Sequence, residues 1–288
     1  MLVPHNMKGQ MIGVLGLGRS GLAAVAALKA AGADVFAFDD RKTQQDIPQI
    51  TLTNWCDWPW NELEAMVISP GIPHNYPTPH PAAAHANVHK VSIISEVELA
   101  LRAKPKARLV AITGTNGKST TTALIGHCLQ TAKYPVAIGG NLGNAACSLD
   151  DPGEHGTLVL ELSSYQLETT PSLKTSISIL LNISPDHLDR HGGMAGYIAA
   201  KALVLERLEK SGLAIIGAGD EHVKTLAKVT AAKGIRTMIA SPELAPVDQK
   251  ASTALAGTHN AENAAAAALA LSALGLDDQM INRGISSF

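Results

Sequence analysis

Short apolar runs alternate with longer amphipathic ones along most of this 288-residue chain. Residues 11–15 (MIGVL) and 34–38 (DVFAF) read as buried strands, and 20–31 between them reads as a helix closed by Gly32. A strand at 65–68 runs into Ser69-Pro70-Gly71, and prolines at 70, 73, 77, 79 and 81 predict an irregular surface loop over 70–81. A helix follows at 95–103. Pro105, inside the basic cluster Arg102, Lys104, Lys106 and Arg108, reads as a solvated linker to a second domain. There a strand at 108–113, a loop at 114–117 and a helix at 118–131 open the pattern again. Strands at 157–162, 177–183, 213–217 and 235–240 alternate with helices near 195–210 and 221–233. An alanine-rich helix starts near 260, with Thr258 or Asn260 as its cap.

Near-continuous apolar strands separated by helices are the mark of parallel sheets covered on both faces. The expected fold is therefore α/β: an N-terminal Rossmann-like domain (1–97), then a P-loop NTPase-like domain (98–288) with a mostly parallel sheet. The formal net charge of −2 gives no electrostatic reason for a nucleic-acid partner. Three scattered cysteines without a CxxC pair, no apolar signal core at the start and no run of membrane-spanning length make a cytoplasmic protein the expectation.

Two glycine loops carry the chemistry. Gly16-Leu17-Gly18-Arg19-Ser20-Gly21 sits between strand and helix and is followed by Asp39-Asp40. Its glycines let the backbone approach a diphosphate at the helix N-terminus, and Asp39 would reach a ribose hydroxyl. Both NAD and a UDP-sugar satisfy that geometry. The second loop, Thr113-Gly114-Thr115-Asn116-Gly117-Lys118-Ser119-Thr120, places Gly-Lys-Ser where a strand enters a helix. Loop N–H groups would cradle phosphates, the lysine would neutralise them, and a hydroxyl would ligate Mg²⁺. The usual Walker pattern has a further glycine where Ile112 stands. A nicotinamide dehydrogenase explains the first loop and leaves the second without purpose.

The T-G-T-N-G-K-S-T variant resembles the loop of the Mur ligases and of their folylpolyglutamate synthetase relatives. Glu161-Leu162-Ser163-Ser164-Tyr165-Gln166-Leu167, the segment Asp186-His187-Leu188-Asp189-Arg190-His191, His259-Asn260-Ala261-Glu262-Asn263 and Ser69-Pro70-Gly71-Ile72 are similar to segments of the D-glutamate-adding branch of the Mur ligases. Folylpolyglutamate synthetases put the ATP loop near the N-terminus, whereas a complete nucleotide-binding unit precedes it here.

The resemblance implies an ATP-dependent ligase joining D-glutamate to UDP-N-acetylmuramoyl-L-alanine, monomeric, with two Mg²⁺ sites. It implies ATP on residues 114–120 (Gly114, Thr115, Asn116, Gly117, Lys118, Ser119, Thr120), with the adenine near Asn260 and Asn263. It carries the UDP-substrate onto Gly16, Gly18, Arg19, Ser20, Asp39, Asp40, Arg41, Ser69, Pro70, Gly71, Asn141 (in Gly139-Gly140-Asn141-Leu142-Gly143) and Ser163. Asp40 departs from the pattern, which has a small hydroxyl residue there. Ser119, Glu161, His187 and a carbamylated Lys201 are the implied metal ligands, and Lys118, His187 and Lys201 the catalytic residues. Taken alone, Glu161 reads equally as a surface strand-end carboxylate, His187 as a hydrogen-bonded structural histidine and Lys201 as solvated surface. The chain ends at Phe288, where the family continues into a third, amino-acid-binding domain. The expectation is thus a fragment that binds substrate and ligates poorly, with the main D-glutamate site elsewhere.

Overall fold

The computed structural model describes residues 1–141, 143–246, 255 and 257–288. The first unit holds β1 (Met11–Leu15), α1 (Arg19–Ala30), β2 (Asp34–Phe38), β3 (Leu63–Ile68), α2 (Pro81–Val88), β4 (Ser92–Ile94) and α3 (Glu96–Arg102). Its strands pair in parallel in the order β2-β1-β3-β4. The second unit runs through β5 (Arg108–Thr113), α4 (Lys118–Thr131), β6 (Val136–Gly140), β7 (Thr157–Glu161), α5 (Ser164–Glu168), β8 (Thr175–Leu180) and α6 (Met194–Glu206). It continues with β9 (Leu208–Gly217), α7 (Glu221–Ala232), β10 (Arg236–Ala240), α8 (Thr258–Leu274) and α9 (Asp278–Ser286). Its parallel sheet has the order β10-β9-β8-β5-β7-β6.

Register decides where chemistry can collect. Leu15 pairs with both Phe38 and Ile68, so Gly16, Asp39 and Ser69 emerge level at one sheet edge. In the second sheet Ile112 and Gly140 both pair with Glu161, and Thr113 pairs with Leu180. Gly114, Asn141, Leu162 and Leu181 therefore follow at a common carboxyl edge, where open α/β sheets take their ligands. The consecutive apolar residues of β7 explain the layering: Leu158 and Leu160 pack into one core cluster and Val159 into the other, one on each face.

Five elements, α2, β4, β6, α5 and α9, lie outside the pattern-based expectation. The proline loop ends at His80, because Pro81 occupies the first helical position of α2, where its missing N–H costs nothing. β4, β6 and α9 are further additions, and β9 begins at Leu208, ahead of the apolar stretch from 213. The alanine-rich helix α8 starts at Thr258 with Gly257 as its N-cap and no side-chain cap bond, so neither Thr258 nor Asn260 caps it. A boundary after residue 97 falls inside α3, which packs on α1 in the first unit and the 146–148 turn of the second. Ser95 Oγ lies 2.7 Å from Thr170 Oγ1, and Leu2 N–H donates to Cys147 O at 3.0 Å, fastening the two units together. Among the described residues no helix is long and apolar enough to cross a membrane.

Candidate functional site

Gly16 adopts φ +87°, and Gly21 lies so close beneath it that a Cβ there would sit 1.8 Å from Gly16 O. Gly18, the N-cap of α1, has no side chain to cap the helix, which leaves its first N–H groups available to an anion. Ser69 Oγ donates to Gly16 O at 2.9 Å. Asp39 closes the loop: its Oδ2 accepts Leu17 N–H at 2.5 Å and its Oδ1 accepts Arg41 N–H at 2.9 Å. Gly16, Gly18, Asp39, Asp40, Arg41, Ser69 and Gly71 line one cleft of about 330 Å³, together with His80. Arg19 points elsewhere, donating to Asn141 O in the second unit at 2.7 Å, and Ser20 lies half-buried in the first turn of α1.

The second loop is braced on its far side. Asn182 accepts Asn116 N–H through its Oδ1 at 2.8 Å and donates from Nδ2 to Asn116 O at 3.1 Å. Thr115 Oγ1 meets Tyr197 OH at 3.0 Å. Gly117, at φ +83°, is the N-cap of α4, and Asn263 from α8 lies over it. A Cβ at Gly117 would come within 2.2 Å of Asn263 Oδ1. Asn263 also donates to Asn260 Oδ1 at 3.2 Å, so both asparagines stand beside the loop. Lys118 folds back, its Nζ donating to Gly114 O at 2.9 Å and Thr115 O at 2.8 Å. Burial lowers its pKa, opposed by Glu161 and Asp186. Thr120 is half-buried in the first turn of α4.

Lys118, Asn141, Ser163, His187 and Lys201 line a second cleft of about 250 Å³ beside Ser164, Tyr165, Asp186 and Tyr197. Pro70 and Gly71 form its other wall, and Gly71 belongs to both clefts. Arg190 holds that wall, donating to Gly71 O at 3.2 Å and Pro70 O at 3.5 Å while stacking over Tyr165. Leu142 lies outside the described residues.

Glu161 is buried at 1% exposure and is met by neutral donors, Ser119 Oγ at 2.9 Å and Asn141 Nδ2 at 3.0 Å. A buried carboxylate with a hydroxyl beside it at a phosphate loop has the oxygen chemistry of a Mg²⁺ site. Ser119 and Glu161 fit such an ion, and the reading of Glu161 as a surface carboxylate is set aside by its burial. His187 sits in the left-handed region (φ +48°) with its side chain 61% exposed and Asp186 at 3.6 Å, beyond hydrogen-bond reach, which does not suit a hydrogen-bonded structural histidine. Lys201 is not solvated surface either. It is 2% exposed, donates to Gly114 O at 2.8 Å, and burial together with the nearby Lys118 charge lowers its pKa to about 7. As an ammonium or amine it offers a metal no oxygen; as a carbamate it would.

Ser163 also has a structural task. It caps α5 in a reciprocal box with Gln166, accepting Gln166 N–H at 3.3 Å while Gln166 Oε1 accepts Ser163 N–H at 2.9 Å. Ser163→Ala should cost about 1 kcal/mol, read as a lower urea midpoint at unchanged slope. A midpoint equal to that of the parent would show the box to be dispensable. Pattern reading missed Asn182, Tyr165, Tyr197 and His80. The first three lie in or beside segments already singled out, whereas nothing in the proline-rich stretch marks His80.

The Mur ligase middle domain pattern matches residues 112–249. UDP-N-acetylmuramoylalanine–D-glutamate ligase of Paramagnetospirillum magneticum is 43% identical, over 98% of this chain and 66% of that protein. The enzymes of the same name from Rhodospirillum rubrum and Sphingopyxis alaskensis are 40% and 42% identical, over 100% of this chain and 67% of theirs. The chain belongs to the Mur ligase family. It spans about two thirds of the length of these relatives. Among solved structures, UDP-N-acetylmuramate:L-alanyl-γ-D-glutamyl-meso-diaminopimelate ligase from Neisseria meningitides superimposes with TM-score 0.65 at 18% identity, covering 97% of this Mur ligase chain and 98% of that one. UDP-N-acetylmuramate-alanine ligase from Thermotoga maritima gives 0.58 at 21% identity, covering 96% and 68%. At such identities these two speak for the α/β fold of the Mur ligase.

Proposed function

We propose that the chain binds UDP-N-acetylmuramoyl-L-alanine across its two clefts, carries ATP on residues 114–120, and takes part in joining D-glutamate to the L-alanine carboxylate. One observation carries this reading: Gly71 lines both the diphosphate-type cleft at Gly16 and the cleft at Lys118, so the two meet at that residue. A UDP-sugar anchored in the first cleft would thus extend its acyl end toward Lys118. The units divide the work accordingly, the first for UDP-substrate and the second for ATP, with α3 as connector.

Lys118 and the loop N–H groups would hold the γ-phosphate, and Mg²⁺ held by Ser119, Glu161 and His187 would supply further neutralising charge. The substrate carboxylate attacks the γ-phosphorus, the bond from that phosphorus to the bridging oxygen of ADP breaks, and ADP leaves an acyl phosphate behind. The D-glutamate amine then attacks the acyl carbon, phosphate departs, and the amine loses its extra proton. Such catalysis is positioning and charge neutralisation. Carbamylation of Lys201 fits the scheme. A neutral amine adds to CO₂ and releases one proton, and the depressed pKa supplies that amine near neutrality. The protein is proposed to work as a cytoplasmic monomer.

Thermal melting tests the reading. A ligand at a hundredfold over its dissociation constant adds roughly 2.7 kcal/mol, a rise of about 5 °C in a chain of this size. UDP-N-acetylmuramoyl-L-alanine and UDP should each raise the melting point, and NAD should leave it unchanged. A rise with NAD alone would replace the ligase reading with a dehydrogenase.

A further inference from the structure

The acidic pair at the end of β2 divides its work in a way the glycine-loop pattern does not anticipate. Asp39, at the position from which a carboxylate reaches a ribose in dinucleotide-binding folds, directs one oxygen to Leu17 N–H and the other to Arg41 N–H. It is a brace for the loop. Asp40 is half-exposed, lines the same cleft, and has His80 as its partner, with Nε2 at 3.1 and 3.3 Å from its two oxygens.

The state of that histidine follows from its other nitrogen. His80 is the N-cap of α2, and its Nδ1 accepts Ala82 N–H at 3.1 Å. A backbone N–H can only donate, so Nδ1 carries no proton. The ring proton sits on Nε2 and points at Asp40. The side chain of His80 is 14% exposed and fixed at both nitrogens, so it holds the Asp40 carboxylate in one orientation over the cleft.

An ionised carboxylate only accepts hydrogen bonds, and beside a phosphate it would be repelled. The anionic part of a ligand belongs instead over Gly16 and Gly18, which line the same cleft at the start of α1. We propose that Asp40 receives a donor hydrogen from the nucleoside part of the bound nucleoside diphosphate, a ribose hydroxyl or a ring N–H, and that His80 is the positioning residue that aims it. The inference rests on the reading of this cleft as the UDP site. It also gives a use to the position at which the chain departs from its family pattern.

Calorimetric titration of the intact chain with UDP tests it. Asp40→Ala should weaken UDP binding about tenfold, the loss of one charge-assisted hydrogen bond. His80→Asn keeps a capping acceptor for Ala82 N–H and withdraws the Nε2 donor. It should weaken UDP binding with little change in melting temperature. In the Asp40→Ala background His80→Asn should add no further loss, because an aiming residue has nothing left to aim. A purely structural histidine would instead impose the same loss in both backgrounds, and that result overturns the proposal, as does unchanged UDP binding by His80→Asn. Two analogues separate the sources of the hydrogen. If a ribose hydroxyl is read, 2′-deoxy-UDP binds weakly and is indifferent to Asp40→Ala; if a ring N–H is read, N3-methyl-UDP behaves so. Full sensitivity of both analogues, and of 3′-deoxy-UDP, to Asp40→Ala would show that none of these hydrogens is read and overturn the assignment. A parent chain that binds no UDP at all would remove the reading of the cleft itself, a result distinct from binding that ignores His80.

Discussion

Replacing Lys201 by methionine should flatten the rise in stability expected of the parent chain between about pH 7 and pH 10.5. The folded chain gives up the Lys201 proton near 7, because burial and the adjacent Lys118 charge disfavour the ammonium, whereas a lysine ordinarily does so at 10.5. Between those two values the unfolded chain holds a proton that the folded chain lacks. Unfolding takes one up, so raising the pH favours the folded state. Below about 7 both states are protonated and the whole cost of the buried ammonium is present; above 10.5 both are neutral and the cost is gone. A displacement of this size corresponds to something on the order of 5 kcal/mol. Methionine has a similar length and no charge. The variant loses the bond to Gly114 O, yet its stability should vary less with pH over this window than that of the parent. Urea titrations of both chains at several pH values, in CO₂-free buffer to keep the amine free, read the difference directly. Parallel pH curves would show that Lys201 keeps an ordinary pKa in the folded chain.

Gly21→Ala should be the most damaging single methyl addition in the first unit. The new Cβ would lie 1.8 Å from Gly16 O, a backbone atom with no freedom to swing aside. Either α1 moves outward or the turn at Gly16 opens, and an opened turn also loses the hydrogen bond from Ser69 Oγ. Overpacking of this severity costs about 3 kcal/mol or more, and the N–H groups facing the cleft move with the turn. Melting should fall by many degrees and UDP should no longer shift it. Gly18→Ala is the control, since no atom lies within 4 Å of its added methyl and its backbone is extended. Its stability should stay within about 0.5 kcal/mol of the parent. Equal melting of the two variants would mean that the close approach of helix and turn carries no energy.

The frame of the fold was legible because buried parallel strands announce themselves. Leu109 to Ile112 and Leu158 to Leu160 are apolar at every position, having a core on each side. The helix at 118–131 began and ended where the pattern placed it, with Gly-Lys-Ser as its start. Elements too short or too mixed to show a period were missed. β4 has three residues, β6 ends in two glycines, and α2 hides behind a row of prolines. In α9 only Ile281, Gly284 and Ile285 are buried, so the helical signal rests on a few residues. At the candidate site, the residues around Lys118 and Glu161 could be named in advance because one opens a helix behind a glycine loop and the other closes a strand. Asp39 could be named as well, but its hydrogen bonds could not. They depend on how the turn at Leu17 folds back, which no local rule states. The pairing of Asp40 with His80 joins residues forty positions apart and leaves no trace in the spacing of either.

The shared wall at Gly71 has a further consequence, one of linkage. A ligand with a nucleotide at one end and a carboxylate at the other behaves as a two-headed binder whose tether passes Pro70-Gly71. Once the first head is seated, the second meets its cleft at an effective concentration set by the tether's length. The two ends offered as separate molecules would each bind weakly, while the joined molecule would bind far more tightly than either. A tether too short or too long would forfeit that gain although every contact in both clefts were kept. The chain would then select its ligand by span as well as by chemistry, and the fastening of the two units by Ser95, Leu2 and Arg190 is what keeps that span constant.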